Sequence, residues 1–163
     1  MMREIKFRGK TANCEWVYGS LVSSDNIEPA IYFEVGKGSV KTFDFVYVKP
    51  ETVGQFTGLH DATKWEDLTD AERDEWIKAG HTKEEWKGRR VFEGDIYTAF
   101  GNGKYEIRFI NGSFCGGLLS GDDSIFAPLG WDSLEGDEDL YLSNELFKIM
   151  EIIGNIHDQK EDV

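Results

Sequence analysis

The chain has 163 residues, 31 acidic and 18 basic, and a formal net charge of −13, which repels phosphate backbones and anionic membrane surfaces at long range. Aromatic residues make up 13% of it, with five Trp and eleven Phe. That is the bulky apolar material of one domain, or of two small subdomains sharing a core, and it argues against disorder of the whole.

Cys14 and Cys115 form no CxxC, so neither a disulfide framework nor a zinc site is indicated. No apolar segment follows the charges of MMREIKFRGK, and nowhere do about 18 apolar residues run together. Neither a signal peptide nor a membrane span is expected, and the expected compartment is the cytoplasm.

In chain order, Ile5 and Phe7 alternate with Lys6, Arg8 and Lys10, the period of a half-buried strand whose other face is basic. WVYGSL reads as its hairpin partner after the turn-like TANCE. TFDFVYV, from Thr42, alternates Phe43, Phe45 and Tyr47 against Asp44 and Val46 and stops before Pro50, which has no N–H for a ladder. The first 60 residues are therefore mainly strands and turns.

Between Asp61 and Gly88 the texture becomes helical. Thr69 with Glu72 spells a capping box, Gly80 is placed as a left-handed C-cap, and Thr82, Glu85 and Gly88 repeat the pattern. Two short helices are expected, docked through Trp65, Leu68, Trp76, Ile77 and Trp86 because helices this short do not persist alone.

Strand texture returns after Arg90. RVFEGDIYTAF contains a Gly-Asp turn, KYEIRFI alternates, and SFCGGLL follows Asn111-Gly112, a strong hairpin signal. From Arg108 to Lys148 no Lys or Arg intervenes, while Asp122, Asp123, Asp132, Glu135, Asp137, Glu138, Asp139 and Glu145 all fall there. That reads as a solvated loop, with a cation site or an acidic partner face as the sharper alternatives. FKIMEIIGNI has a helical period, but its β-branched content and Gly154 favour a helix or loop at SNEL followed by a strand.

ETVGQFTG from Glu51 and EIIGNIHD from Glu151 repeat nearly one phrase 100 residues apart. They are expected to be two strands of a common core lying close in space, with Gly54 and Gly154 at bends and Gln55 and Asn155 satisfying backbone groups there.

Taken in order, IKFRGK, EWVYGSL, ETVGQFTGL, FEGDIY and IIGNIHD resemble the YopX family of small phage and prophage proteins. The resemblance covers both ends and most of the chain. It implies a mostly β fold with a barrel-like C-terminal half and supplies no catalytic or binding residues, the family's biochemical role being unassigned. The stretch from Ala62 to Lys87 departs from the family pattern as an insertion, which costs only about 0.6 kcal/mol of closure entropy per doubling of loop length.

Several residues invite a chemical reading, each beside a simpler one. Cys115 in SFCGGL is a nucleophile only with a base such as His60, His81 or His157, and otherwise a buried structural thiol. His60-Asp61 and His157-Asp158 offer divalent-metal ligands if their strands adjoin, and otherwise end two strands. GKGS and GNGK match no phosphate loop and read as hairpin turns. The stripe of Arg3, Lys6, Arg8 and Lys10 can meet a nucleic-acid backbone or pair with acidic residues of this chain or a neighbouring one. Trp65, Trp76 and Trp86 can anchor a partner or close a satellite core.

The combined expectation is an α+β, mostly β protein. It has a strand-rich N-terminal subdomain over 1–61, a helical insertion over 62–87 and a barrel-like (SH3-like) C-terminal half over 88–163. A non-catalytic protein-interaction or self-assembling role is expected, without a cofactor, with other proteins and copies of itself as partners. Nucleic acid is the second choice, an enzyme or metal-binding protein the third, and no membrane partner is expected.

Overall fold

A computed structural model describes residues 4–36, 38–99, 101, 103–129 and 149–158. The mostly β expectation holds, with eleven strands and one α-helix among those residues. The strands are β1 (Phe7–Lys10), β2 (Trp16–Ser24), β3 (Ile27–Val35), β4 (Thr42–Tyr47), β5 (Gly54–His60), β6 (Arg90–Phe92), β7 (Asp95–Thr98), β8 (Lys104–Ile110), β9 (Ser113–Leu118), β10 (Ala127–Pro128) and β11 (Glu151–Asn155), and α1 is Asp70–Lys78. The chain forms two compact units, one running to Gly58 and one starting at Leu59.

In the first unit the strand order is β4-β3-β2-β1-β5, every described pairing antiparallel. β2 changes partner along its length: Trp16 to Gly19 face β1, and Ser20 onward faces β3. Gly19 sits at that change because a Cβ there would lie 2.0 Å from the Tyr32 carbonyl oxygen. Ile31 and Val48 are buried on one face of β3-β4, and the Val48 N–H donates to Pro29 O at 2.9 Å just beyond the ladder.

The face of β1 differs from its sequence expectation. Arg8 and Lys10 are 6% and 3% exposed, whereas Ile5 is 64% exposed. Their alkyl stems bury while their charges lie on the Trp16 ring, with the Arg8 Cζ 4.5 Å and the Lys10 Nζ 5.4 Å from its centroid. An alternating basic residue is thus the buried one.

The second unit holds an open five-stranded antiparallel sheet, β10-β9-β8-β7-β11. Its core is Val91, Tyr97, Ile107 and Met150, with Leu59, Leu129 and Ile152 packed against it. The SH3-like expectation is met only as far as the sheet: β10 and β11 end it on opposite sides, and no pairing closes it among the described residues. Asn111 and Gly112 both take positive φ, 51° and 81°, and turn β8 into β9 as their sequence predicts.

In the expected insertion, 62–87, α1 begins with the Thr69–Glu72 capping box and is followed by Gly80 at φ 94°. The second expected helix is a single 3-10 turn, Lys83–Glu85, despite its own Thr82–Glu85 box. It stops because Trp86 turns extended, with φ −68° and ψ 125°, and its indole N–H donates to Thr63 O at 2.9 Å.

The two echoing phrases fall in different sheets, β5 in one and β11 in the other. The residue that meets the second phrase is Asp61, just beyond the first. Gly154 does mark an irregularity, since the β11–β7 register shifts between Ile152 and Gly154. Asn155 satisfies local backbone: its Oδ1 accepts from the N–H groups of His157 and Asp158 at 2.9 and 3.1 Å.

Candidate interaction surfaces

Among the described residues, β4 ends its sheet and pairs only with β3. Phe43, Phe45 and Tyr47 project from one face and are 75%, 45% and 50% exposed. Tyr32, directly across the ladder from Phe45, stacks on it at 5.1 Å with the planes 19° apart. Tyr47 meets Phe45 edge-on at 5.6 Å. Alternation set the three aromatics on one face, and strand order left one hydrogen-bonding edge of the strand open. An exposed run of large apolar side chains on an edge strand is the signature of a pairing surface.

The insertion treats its aromatics differently. Trp86 meets Trp65 at 6.2 Å and Trp76 at 5.1 Å, both edge-on, and His81 stacks on Trp76 at 4.2 Å. The Trp76 indole N–H donates to Thr82 O at 2.7 Å. The three rings are half-buried and close a small satellite core. Beside it a groove of about 480 Å³ runs between Trp65 and Trp86, with Lys64, Lys83 and Lys87 on its walls.

Asp61 fastens this insertion within its unit. Its carboxylate is 4% exposed and accepts four hydrogen bonds. Oδ1 receives the N–H of Thr63 at 3.0 Å and of Arg89 at 2.7 Å, and Oδ2 receives the Thr63 hydroxyl and the Ile152 N–H, both at 2.9 Å. Gly88 is required alongside, since a Cβ there would stand 2.0 Å from Asp61 O. Arg89 continues the network to Glu72 Oε1 at 2.8 Å and Ile152 O at 3.3 Å. The Thr69 backbone amide, together with Arg89, holds the Glu72 carboxyl below the usual glutamate range.

These contacts bear on the other candidate residues. Asp61 spends its lone pairs on donors, and Asp158 hydrogen-bonds Asn155. No group of three or more His, Cys, Asp or Glu able to hold a metal occurs among the described residues, so the structure does not gather His60, Asp61, His157 and Asp158 into such a group. Cys115 is 4% exposed, its Sγ lies 3.6 Å from Ser113 O, and burial pushes the thiol pKa up, the reverse of what a nucleophile needs. Lys6 lies 3.8 Å from Glu4, and Arg3 falls outside the described residues.

Of the acidic stretch, Asp123 is held by Arg108 at 2.8 Å. Asp122 caps Ser124, whose backbone N–H lowers the Asp122 pKa. The acids from Asp132 to Glu145, and SNEL, lie outside the described residues. No helix among those residues is long and apolar enough to cross a membrane.

No family model, curated protein or solved structure matches this chain. Sequence reasoning offered the tryptophans as anchors or as a satellite core and missed the ladder on β4. Its signal was present in TFDFVY, whose alternation sets three aromatic rings on one side of a strand followed by a proline-led turn.

Proposed function

We propose that this chain is a non-catalytic interaction module, encoded by a phage or prophage as the resemblance implies, that acts in the host cytoplasm by binding protein chains, including copies of itself. The observation that carries this reading is the wet aromatic ladder of Phe43, Phe45 and Tyr47 on an open strand. Leaving such surface in water forfeits roughly 25 cal/mol for each Å² that a partner would cover.

Nucleic-acid binding through the N-terminal stripe is the weaker alternative, because Arg8 and Lys10 lie against Trp16 rather than in solvent. The test is sedimentation of the full chain, together with capture of bound protein from a phage-bearing host. Masses above 18.6 kDa and captured protein, both lost in a Phe43→Ser/Tyr47→Ser variant, are the expected result. A strict monomer that captures nothing overturns the reading.

A further inference from the structure

We propose that the open edge of β4 pairs antiparallel with β4 of a second copy about a two-fold axis at Phe45, and that Asp44 guards this edge. The proposal rests on the interaction reading above and gives it a partner and a register.

The hydrogen-bond pattern of β4 identifies the groups available. In an antiparallel ladder, residues alternate between those that bond across to the neighbour and those that point away. Val48 bonds across to Pro29, so Val46, Asp44 and Thr42 bond toward β3, and Phe43, Phe45 and Tyr47 turn their N–H and C=O groups to the open side. An independent contact agrees: the Phe45 N–H donates to Asp44 Oδ1 at 2.8 Å instead of joining the ladder.

The segment is close to symmetric about Phe45, with aromatics at both second neighbours and β-branched residues at both third neighbours. A two-fold axis there sets Phe45 opposite Phe45 of the second copy and Phe43 opposite its Tyr47, so that all three open residues exchange their hydrogen bonds. Asp44 then faces Val46 of the second copy rather than another carboxylate. On the aromatic face the Tyr32–Phe45 stack continues into the stack of the second copy.

Area and charge set the strength. At roughly 200 Å² per aromatic side chain, the exposed parts of the three rings amount to roughly 700 Å² for two copies, below the roughly 1,200 Å² at which stable complexes begin. The dimer is therefore weak and reversible. Two chains of −13 repel each other, so added salt strengthens the pairing by screening. The central bond also requires Asp44 to release the Phe45 amide, which makes its carboxylate a competitor of the partner's carbonyl.

The test is sedimentation equilibrium of the full chain over about a hundredfold range of concentration, at low and high salt, with thermal melts to verify folding. The expected wild-type mass rises from 18.6 kDa toward twice that, more readily at high salt. Asp44→Ala is expected to dimerise at about tenfold lower concentration, Phe45→Lys to remain monomeric, and Phe109→Ser, an equally wet aromatic of β8 at 51% exposed, to behave as wild type. If Phe45→Lys fails to fold, Phe43→Lys takes its place.

Register is read by cross-linking in a Cys14→Ser background. Phe45→Cys should link two copies on mild oxidation, since directly paired Cα atoms lie about 5.5 Å apart. Thr42→Cys should not, its counterpart being six residues, about 20 Å, away along the strand. A monomer at every concentration, including for Asp44→Ala, overturns the pairing and the self-association reading together. A dimer that survives the lysine variant, or that cross-links at position 42 and not 45, overturns the edge pairing alone.

Discussion

In the insertion, three tryptophans turn toward one another and two give their indole N–H groups to the backbone carbonyls of Thr63 and Thr82. On β4, Phe43, Phe45 and Tyr47 form an equally regular aromatic row that faces outward. The two clusters differ in what else their residues must satisfy. An indole N–H needs an acceptor once it leaves water, and meeting that need fixes the ring; a phenyl ring imposes no such demand and follows wherever the strand points it. The tryptophan cluster therefore serves stability, whereas the β4 row stays in water.

The sharpest way to break this contrast is to undo what holds the insertion. Asp61→Asn replaces one acceptor oxygen with a donor amide among four donors, and should cost about 3 kcal/mol in urea unfolding, with tryptophan emission shifting to the red. Unchanged stability would show that the insertion is held by something other than the Asp61 carboxylate. Trp86→Phe should cost about 1–2 kcal/mol by losing the bond to Thr63 and part of the ring cluster, without changing the association state.

Phe45→Ser should do the opposite. Stability should change by less than about 1 kcal/mol, because only cross-strand stacking is lost, while association shifts to severalfold higher concentration. A larger loss than that of Trp86→Phe would mean that the β4 row belongs to a core. The smallest effect is expected at Glu72. A carboxyl with a lowered folded-state pKa adds stability that is full above the ordinary glutamate range and lost as pH falls through its own lowered value. Glu72→Gln should therefore cost about 0.5 kcal/mol near pH 7, the modest worth of a largely exposed helix-terminal charge. That gap should close in acid, as seen in parallel melts.

Local signals were legible where a few adjacent residues decide the outcome. The Thr69–Glu72 box, the Asn111-Gly112 turn and the alternation of TFDFVY each act over six residues or fewer, and each appears as expected. Charge pattern misled at β1, because a period of two says that one face is buried and not which one. Long basic side chains bury readily when a Trp16 is available to cover them. The Thr82–Glu85 box was legible, but the tertiary demand of Trp86 for Thr63 ended its helix after one turn.

The candidate surface was half legible. Three aromatics on one side of a strand can be counted in the sequence, but that β4 ends its sheet depends on the order of all the strands. The role of Asp61 was hidden for the same reason: a His-Asp dipeptide resembles a metal ligand, and the amides its carboxylate receives lie 28 and 91 residues away.

Those separations matter while the protein is being made. The donor from Ile152 reaches Asp61 only after 91 further residues have been joined, which at about 5–20 residues per second takes roughly 5 to 20 seconds. The first unit has all of its strands by Gly58 and can form as it emerges. Until then Asp61 lacks its donor from β11, so this is the interval in which the second unit of a nascent chain is most exposed to chaperones and proteases, and an early stop before β11 would leave that unit unable to finish.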